Sequence, residues 1–151
     1  MFRKLDKFIE YFIFSLLSLM STAIFLQVVF RYVIKYSLPW SEELARYLFV
    51  WFALMGAAVA VKENAHFGVD FLVRQLKPGT QHLFYLIGSG FILCFLSVIL
   101  FEGVGLTIRN WTQFSSAMRI PMSFPYAAIP FSAFIMIMYS IKDIVASFKK
   151  E

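Results

Sequence analysis

Four long stretches of this chain carry no charged side chain, and short polar segments separate them. The first uncharged run is Tyr11 to Phe30. As a helix rising 1.5 Å per residue it is long enough to cross a hydrocarbon layer of about 30 Å. The second, Tyr47 to Val61, is short for that task, but Arg46 and Lys62 flank it and can reach the two interfaces. The third runs from Leu83 to Phe101 and can extend to Ile108, with Glu102 near the interface. The fourth, Ile120 to Ile141, holds Pro121, Pro125 and Pro130. Proline suits a first helical turn and kinks a helix interior, so a regular helix is expected from about Pro125, with a bend at Pro130.

The pattern predicts an all-α integral membrane four-helix bundle. It forms a single domain over residues 1–151, with spans at about 8–33, 44–62, 83–108 and 122–142. The second helix is expected to begin ahead of its apolar core. Ser41 is a candidate N-cap, and Glu42 and Glu43 fall in the first turn, where the helix dipole favours negative charge. Lys77-Pro78-Gly79-Thr80 reads as a turn before the third helix.

Composition agrees with this. Sixty per cent of residues are hydrophobic and 15% are charged, against about a quarter charged in soluble domains. The net charge of +5 could suggest nucleic acid. The basic residues sit at the ends of apolar runs, however, which indicates lipid headgroups and membrane orientation instead. Arg3, Lys4 and Lys7 precede the first run as in a signal peptide. That run is about twice the usual signal length and no small-residue cleavage site follows it, so it reads as a retained helix.

Lys and Arg counts predict the orientation. With both termini inside, the inner segments hold Arg3, Lys4, Lys7, Lys62, Arg74, Lys77, Lys142, Lys149 and Lys150. The outer segments hold Arg31, Lys35, Arg46, Arg109 and Arg119. The bias favours N-in and C-in and makes residues 31–46 an amphipathic outer segment.

Candidate chemistry is sparse. The only histidines, His66 and His82, lie in or beside the inner loop, and Cys94 is the only cysteine. No intramembrane haem ligand pair, cysteine pair or catalytic dyad can be assembled, so no enzyme activity, metal or cofactor is expected. A small proton-coupled exporter needs a carboxylate deep in the membrane, and Glu10 and Glu102 both lie near span ends. Small residues at Ala53, Gly56, Ala57 and Ala60, and again at Gly88 and Gly90, allow close helix approach, within this bundle or against a partner. The densest outer polar cluster is Trp40, Glu42, Glu43 and Arg46. Glu42 and Arg46 are four apart in the favourable order. Glu43 then lies about 100° away around the helix, free for a partner's basic group. An interfacial anchor explains Trp40 and Arg46 but not two adjacent carboxylates.

At this cluster the sequence resembles the small membrane subunit, DctQ-like, of tripartite ATP-independent periplasmic (TRAP) transporters. The resemblance is carried by Arg31-Tyr32, by Leu38-Pro39-Trp40-Ser41-Glu42-Glu43-Leu44-Ala45-Arg46-Tyr47, and by Trp51 with Gly56-Ala57-Ala58. Lys62, His66, Val69 and Asp70, then Arg119-Ile120-Pro121-Met122, Pro125-Tyr126-Ala127 and Ile129-Pro130, extend it along nearly the whole chain. Ser132 departs from it, standing where a glycine is expected.

The resemblance implies a multi-pass protein of the bacterial inner membrane that scaffolds a larger multi-span subunit holding the solute and sodium sites. A periplasmic binding protein would deliver a carboxylate solute, of C4-dicarboxylate or sialic acid type. Arg31, Trp40, Glu42, Glu43, Arg46 and Arg119 become candidate partner-interface residues, membrane lipids are further partners, and nucleic acid is not. The competing readings are a self-sufficient homodimeric transporter and a membrane anchor for another complex. The solute itself is not legible.

Overall fold

The computed structural model describes residues 2–63 and 78–148, with side chains described for 5–63 and 84–147. Helix α1 spans Phe2–Val29 and closes in a single π turn, Phe30–Ile34. Helix α2 spans Pro39–Lys62, and α3 spans Pro78–Arg109. The one-turn α4, Ser123–Tyr126, leads into α5, Ala128–Phe148. Four of these helical segments are long and apolar enough to cross a membrane. The protein is an all-α four-helix membrane bundle.

Local chemistry explains the breaks. The π turn ends at Lys35, whose φ of 57° is left-handed, and Tyr36 N–H reaches back 3.0 Å to the Phe30 carbonyl. Only four residues then separate α1 from α2, so the two form an antiparallel hairpin. Pro39 begins α2, where its missing N–H costs nothing. Leu38, not Ser41, occupies the cap position: the Ser41 hydroxyl donates to the Leu38 carbonyl at 2.8 Å instead of capping the helix N–H groups. Pro78 likewise opens α3, so the expected turn at 78–80 is already helical. Pro130 does not fall in a helix interior, as expected for a bend. The chain breaks earlier, at Ala127, and Pro130 sits in the first turn of α5, the position proline tolerates. The inner loop, including His66, Val69 and Asp70, lies outside the described residues.

The long helices lie in the order α1, α2, α5, α3. Helix α2 packs between α1 and α5, while α3 packs on α5 and the adjoining α4. The core therefore sits off centre. Ile9 of α1, Met55 and Ala58 of α2, and Ile135 and Tyr139 of α5 form one buried cluster. At that end of the bundle the Tyr139 hydroxyl donates to the Asp6 carboxylate at 2.6 Å. Lys62 Nζ lies 3.4 Å from Asp6 and 3.5 Å from Glu10. Lys62, expected as an interface flank of its own span, thus ties α2 to α1.

The α3–α5 seam depends on Gly103. A Cβ there would come within 2.9 Å of Ile129 and 3.0 Å of Pro130, so only glycine lets these backbones approach. Ser132, at the position expected to be glycine, is buried, and its hydroxyl donates to the Ile129 carbonyl at 3.0 Å. Large apolar side chains cover the outward faces of α1 and α3, among them Phe8, Phe14, Phe25, Phe91, Phe95 and Phe101. In water such surfaces would aggregate; against acyl chains they are matched.

Candidate functional site

The functional candidates gather at the end of the bundle where α1 joins α2 and α3 joins α4. Helix α2 organises this end. Glu43, Tyr47 and Trp51 recur every four residues, so they share one face, and all three turn toward the 110–126 segment.

Glu43 is buried, 9% exposed, and its carboxylate is fully used. Oε1 accepts the Tyr47 hydroxyl at 2.7 Å. Oε2 accepts the backbone N–H groups of Ala117 at 3.0 Å and Met118 at 2.7 Å. Met122 Sδ lies 3.2 Å from the same Tyr47 hydroxyl. One further turn along, Trp51 Nε1 donates to the Phe124 carbonyl at 3.1 Å. Its ring packs edge-on to Phe12 of α1 and tilted on Phe131 of α5. Hydrogen bonds to a charged acceptor are about twice as strong as neutral ones. Helix α2 therefore grips the second connection at two points.

The 110–122 segment is itself a compact hairpin-like loop. Phe114 pairs with Pro121. Ser115 N–H donates to the Ile120 carbonyl at 2.9 Å, and Ile120 N–H donates to Ser115 Oγ at 3.2 Å. Met122 N–H donates to the Gln113 carbonyl at 2.8 Å. Arg119, at the turn, has a left-handed φ of 54°.

The expected pairing of Glu42 with Arg46 is present at 3.4 Å, and both side chains are largely exposed. Such a pair is worth under about 1 kcal/mol. The expectation that Glu43 is left free does not hold. It does point away from Glu42, but toward the bundle's own second loop, which satisfies it. Trp40 is partly exposed, and Arg31 is exposed on the π turn with its guanidinium 5.9 Å from the Tyr32 ring centre. Among the described residues, neither Arg31 nor Arg119 has a carboxylate partner.

The small residues also fall elsewhere than within-bundle packing would require. Ala53, Ala57 and Ala60 are exposed along one face of α2. A side chain added at Gly56, Gly88 or Gly90 would meet nothing within 4 Å. Inside the bundle, the buried small residues include Ala45, Ala58, Ala128 and Ala133, and the closest backbone approach is at Gly103. The sequence alone assigns no contact to Tyr47, Met122 or Gly103. The four-residue spacing of Glu43, Tyr47 and Trp51, each with a polar tip, was the available signal.

The family model for "Tripartite ATP-independent periplasmic transporters, DctQ component" matches residues 20–150. A Haemophilus influenzae protein assigned as a TRAP transporter small permease is 35% identical over 82% of this chain and 77% of its own length. The C4-dicarboxylate TRAP transporter small permease protein DctQ of Rhodobacter capsulatus is 32% identical over 66% of this chain and 45% of that protein. A longer relative, the sialic acid TRAP transporter permease protein SiaT of Haemophilus influenzae, is 32% identical over 82% of this chain, which spans 20% of that protein. The family match over most of its length and these relatives show that the chain belongs to the DctQ component family of TRAP transporters, as a multi-pass inner-membrane transporter subunit and not an enzyme.

Proposed function

We propose that this chain is the scaffolding small subunit of a sodium-driven, binding-protein-dependent uptake system for a carboxylate solute. The observation that carries this is where the charges lie. Residues 11–30, 47–61, 84–101 and 120–141 contain no Asp, Glu, Lys or Arg, while polar networks brace both ends of the bundle. A subunit that translocates an ion or an anion needs ionisable or unwound groups at mid-span. One that holds a moving partner in place needs rigidity, which the Glu43 and Asp6 networks supply.

The sodium and solute sites then belong to a larger membrane subunit. The long SiaT relative, of which the matched segment is 20%, supports such a pairing. The outward faces of the helices suggest where contact occurs. On α1 and α3 they are rich in phenylalanine, whereas α2 presents Ala53, Gly56, Ala57 and Ala60. Lipid imposes no preference for small residues, but a neighbouring helix does. In the N-in, C-in orientation, Arg31, Trp40, Glu42 and Arg46 face the periplasm, within reach of a binding protein. The C4-dicarboxylate and sialic acid relatives support a carboxylate as solute.

The test is reconstitution in liposomes under a sodium gradient, with this chain alone and with its large partner and binding protein. Uptake only by the complete set is expected. Gradient-driven uptake by this chain alone would replace the scaffold with a self-sufficient transporter.

A further inference from the structure

The acidic groups at the loop end are all accounted for. Glu42 pairs with Arg46, Glu102 lies 3.6 Å from Arg109, and Glu43 is consumed by Tyr47 and the 117–118 backbone. Arg119 is left as an exposed cation without a carboxylate partner among the described residues. It borders an open cleft of about 550 Å³ lined by Phe114, Ser115, Ser116 and itself.

Two features of the backbone fix where the Arg119 side chain is presented. Its left-handed φ is one that glycine would adopt without strain, whereas a side chain raises the cost. The loop around it is also clamped, by the Glu43 carboxylate on Ala117 and Met118 and by the Ser115–Ile120 hydrogen bonds.

We infer that the cleft of Phe114, Ser115, Ser116 and Arg119 binds the phosphate of an anionic phospholipid headgroup. The ligand must be amphipathic. Beside the cation and the exposed Ser116 stands the exposed Phe114, and the exposed Ile108, Trp111 and Phe124 flank the same loop in the chain, where α3 ends and α4 begins. Aromatic side chains next to a basic group mark the boundary between headgroups and acyl chains, and guanidinium is suited to phosphate oxygens. A soluble anion would use the arginine and leave the apolar surface without purpose. This assignment makes Arg119 a lipid contact and leaves Arg31, Trp40, Glu42 and Arg46 to face protein. It is independent of the transport reading.

The full-length chain in detergent, titrated with phosphatidylglycerol or phosphatidylcholine and read by native mass spectrometry, tests it. Wild type should retain phosphatidylglycerol preferentially. Arg119→Gly suits the backbone, so it should keep the thermal midpoint while weakening phosphatidylglycerol retention about fivefold. Arg119→Lys should keep most of the retention. Unchanged retention in Arg119→Gly would overturn the site. So would equal retention of the two lipids together with displacement by millimolar inorganic phosphate, which would assign the cleft to a soluble anion.

Discussion

The Glu43 carboxylate and the Met118 backbone N–H meet at 2.7 Å although 75 residues separate them in sequence. This contact joins the start of the second span to the loop before the last one. It turns two connections into one braced platform. With Ala117 and Tyr47 it leaves no free acceptor role for Glu43 to offer a partner.

Glu43→Ala is therefore expected to destabilise the bundle itself. Two backbone N–H groups and the Tyr47 hydroxyl lose a charged acceptor, at about 1–3 kcal/mol for each group left buried and unpaired. Glu42→Ala removes only an exposed pair, worth under about 1 kcal/mol. Thermal unfolding in detergent should separate these adjacent carboxylates clearly. Equal midpoints for the two variants would show that the loop does not depend on Glu43.

Gly103→Ala should open the α3–α5 seam. The added Cβ meets Ile129 and Pro130 at about 3 Å, and overpacking of this kind costs about 1–3 kcal/mol. Gly90→Ala adds a methyl group into open space and should be neutral or slightly stabilising, since alanine is the better helix former. The same unfolding assay checks the pair, and a more stable Gly103→Ala protein would contradict the close approach.

The outward small-residue face of α2 leads to a different readout. Gly56→Leu and Ala57→Leu should leave the isolated chain folded, because a Cβ at Gly56 meets nothing within 4 Å and Ala57 is exposed. Each should sharply reduce co-purification of the large membrane subunit if a partner helix sits there. Wild-type recovery of the partner with both leucines present would place the contact on another face.

Orientation is open to direct measurement. With Cys94→Ser as background, single cysteines at Ser37 and Lys77 would be exposed to an impermeant thiol reagent in intact cells. Position 37 should label and position 77 should not; the reverse pattern would invert the bundle.

Arg31→Ala should insert and assemble normally, since its contact with Tyr32 is marginal at 5.9 Å, yet lower uptake by the whole complex. Glu10→Ala, which loosens only a 3.5 Å contact with Lys62, should change uptake less. Uptake normalised to the assembled complex in the membrane decides this, and wild-type rates in Arg31→Ala would reduce that residue to an interfacial anchor.

The number of spans, their approximate extent and their membrane character were legible in the sequence alone. An uncharged run of some twenty residues has one economical solution in lipid, because a helix satisfies its own backbone hydrogen bonds. The Glu42–Arg46 pair was also legible, since it depends only on spacing along one helix. The destination of Glu43 was not. Helical periodicity says that it diverges from Glu42, but not whether solvent, a partner or another loop lies in that direction. The same holds for the glycines. Gly56, Gly88 and Gly90 have the local signature of packing sites, yet among the described glycines it is Gly103 that is pressed against a neighbouring backbone. Which helix lies beside which, in the order α1, α2, α5, α3, is set by long-range packing. Only that arrangement decides which small residues, carboxylates and cations remain exposed to meet something else.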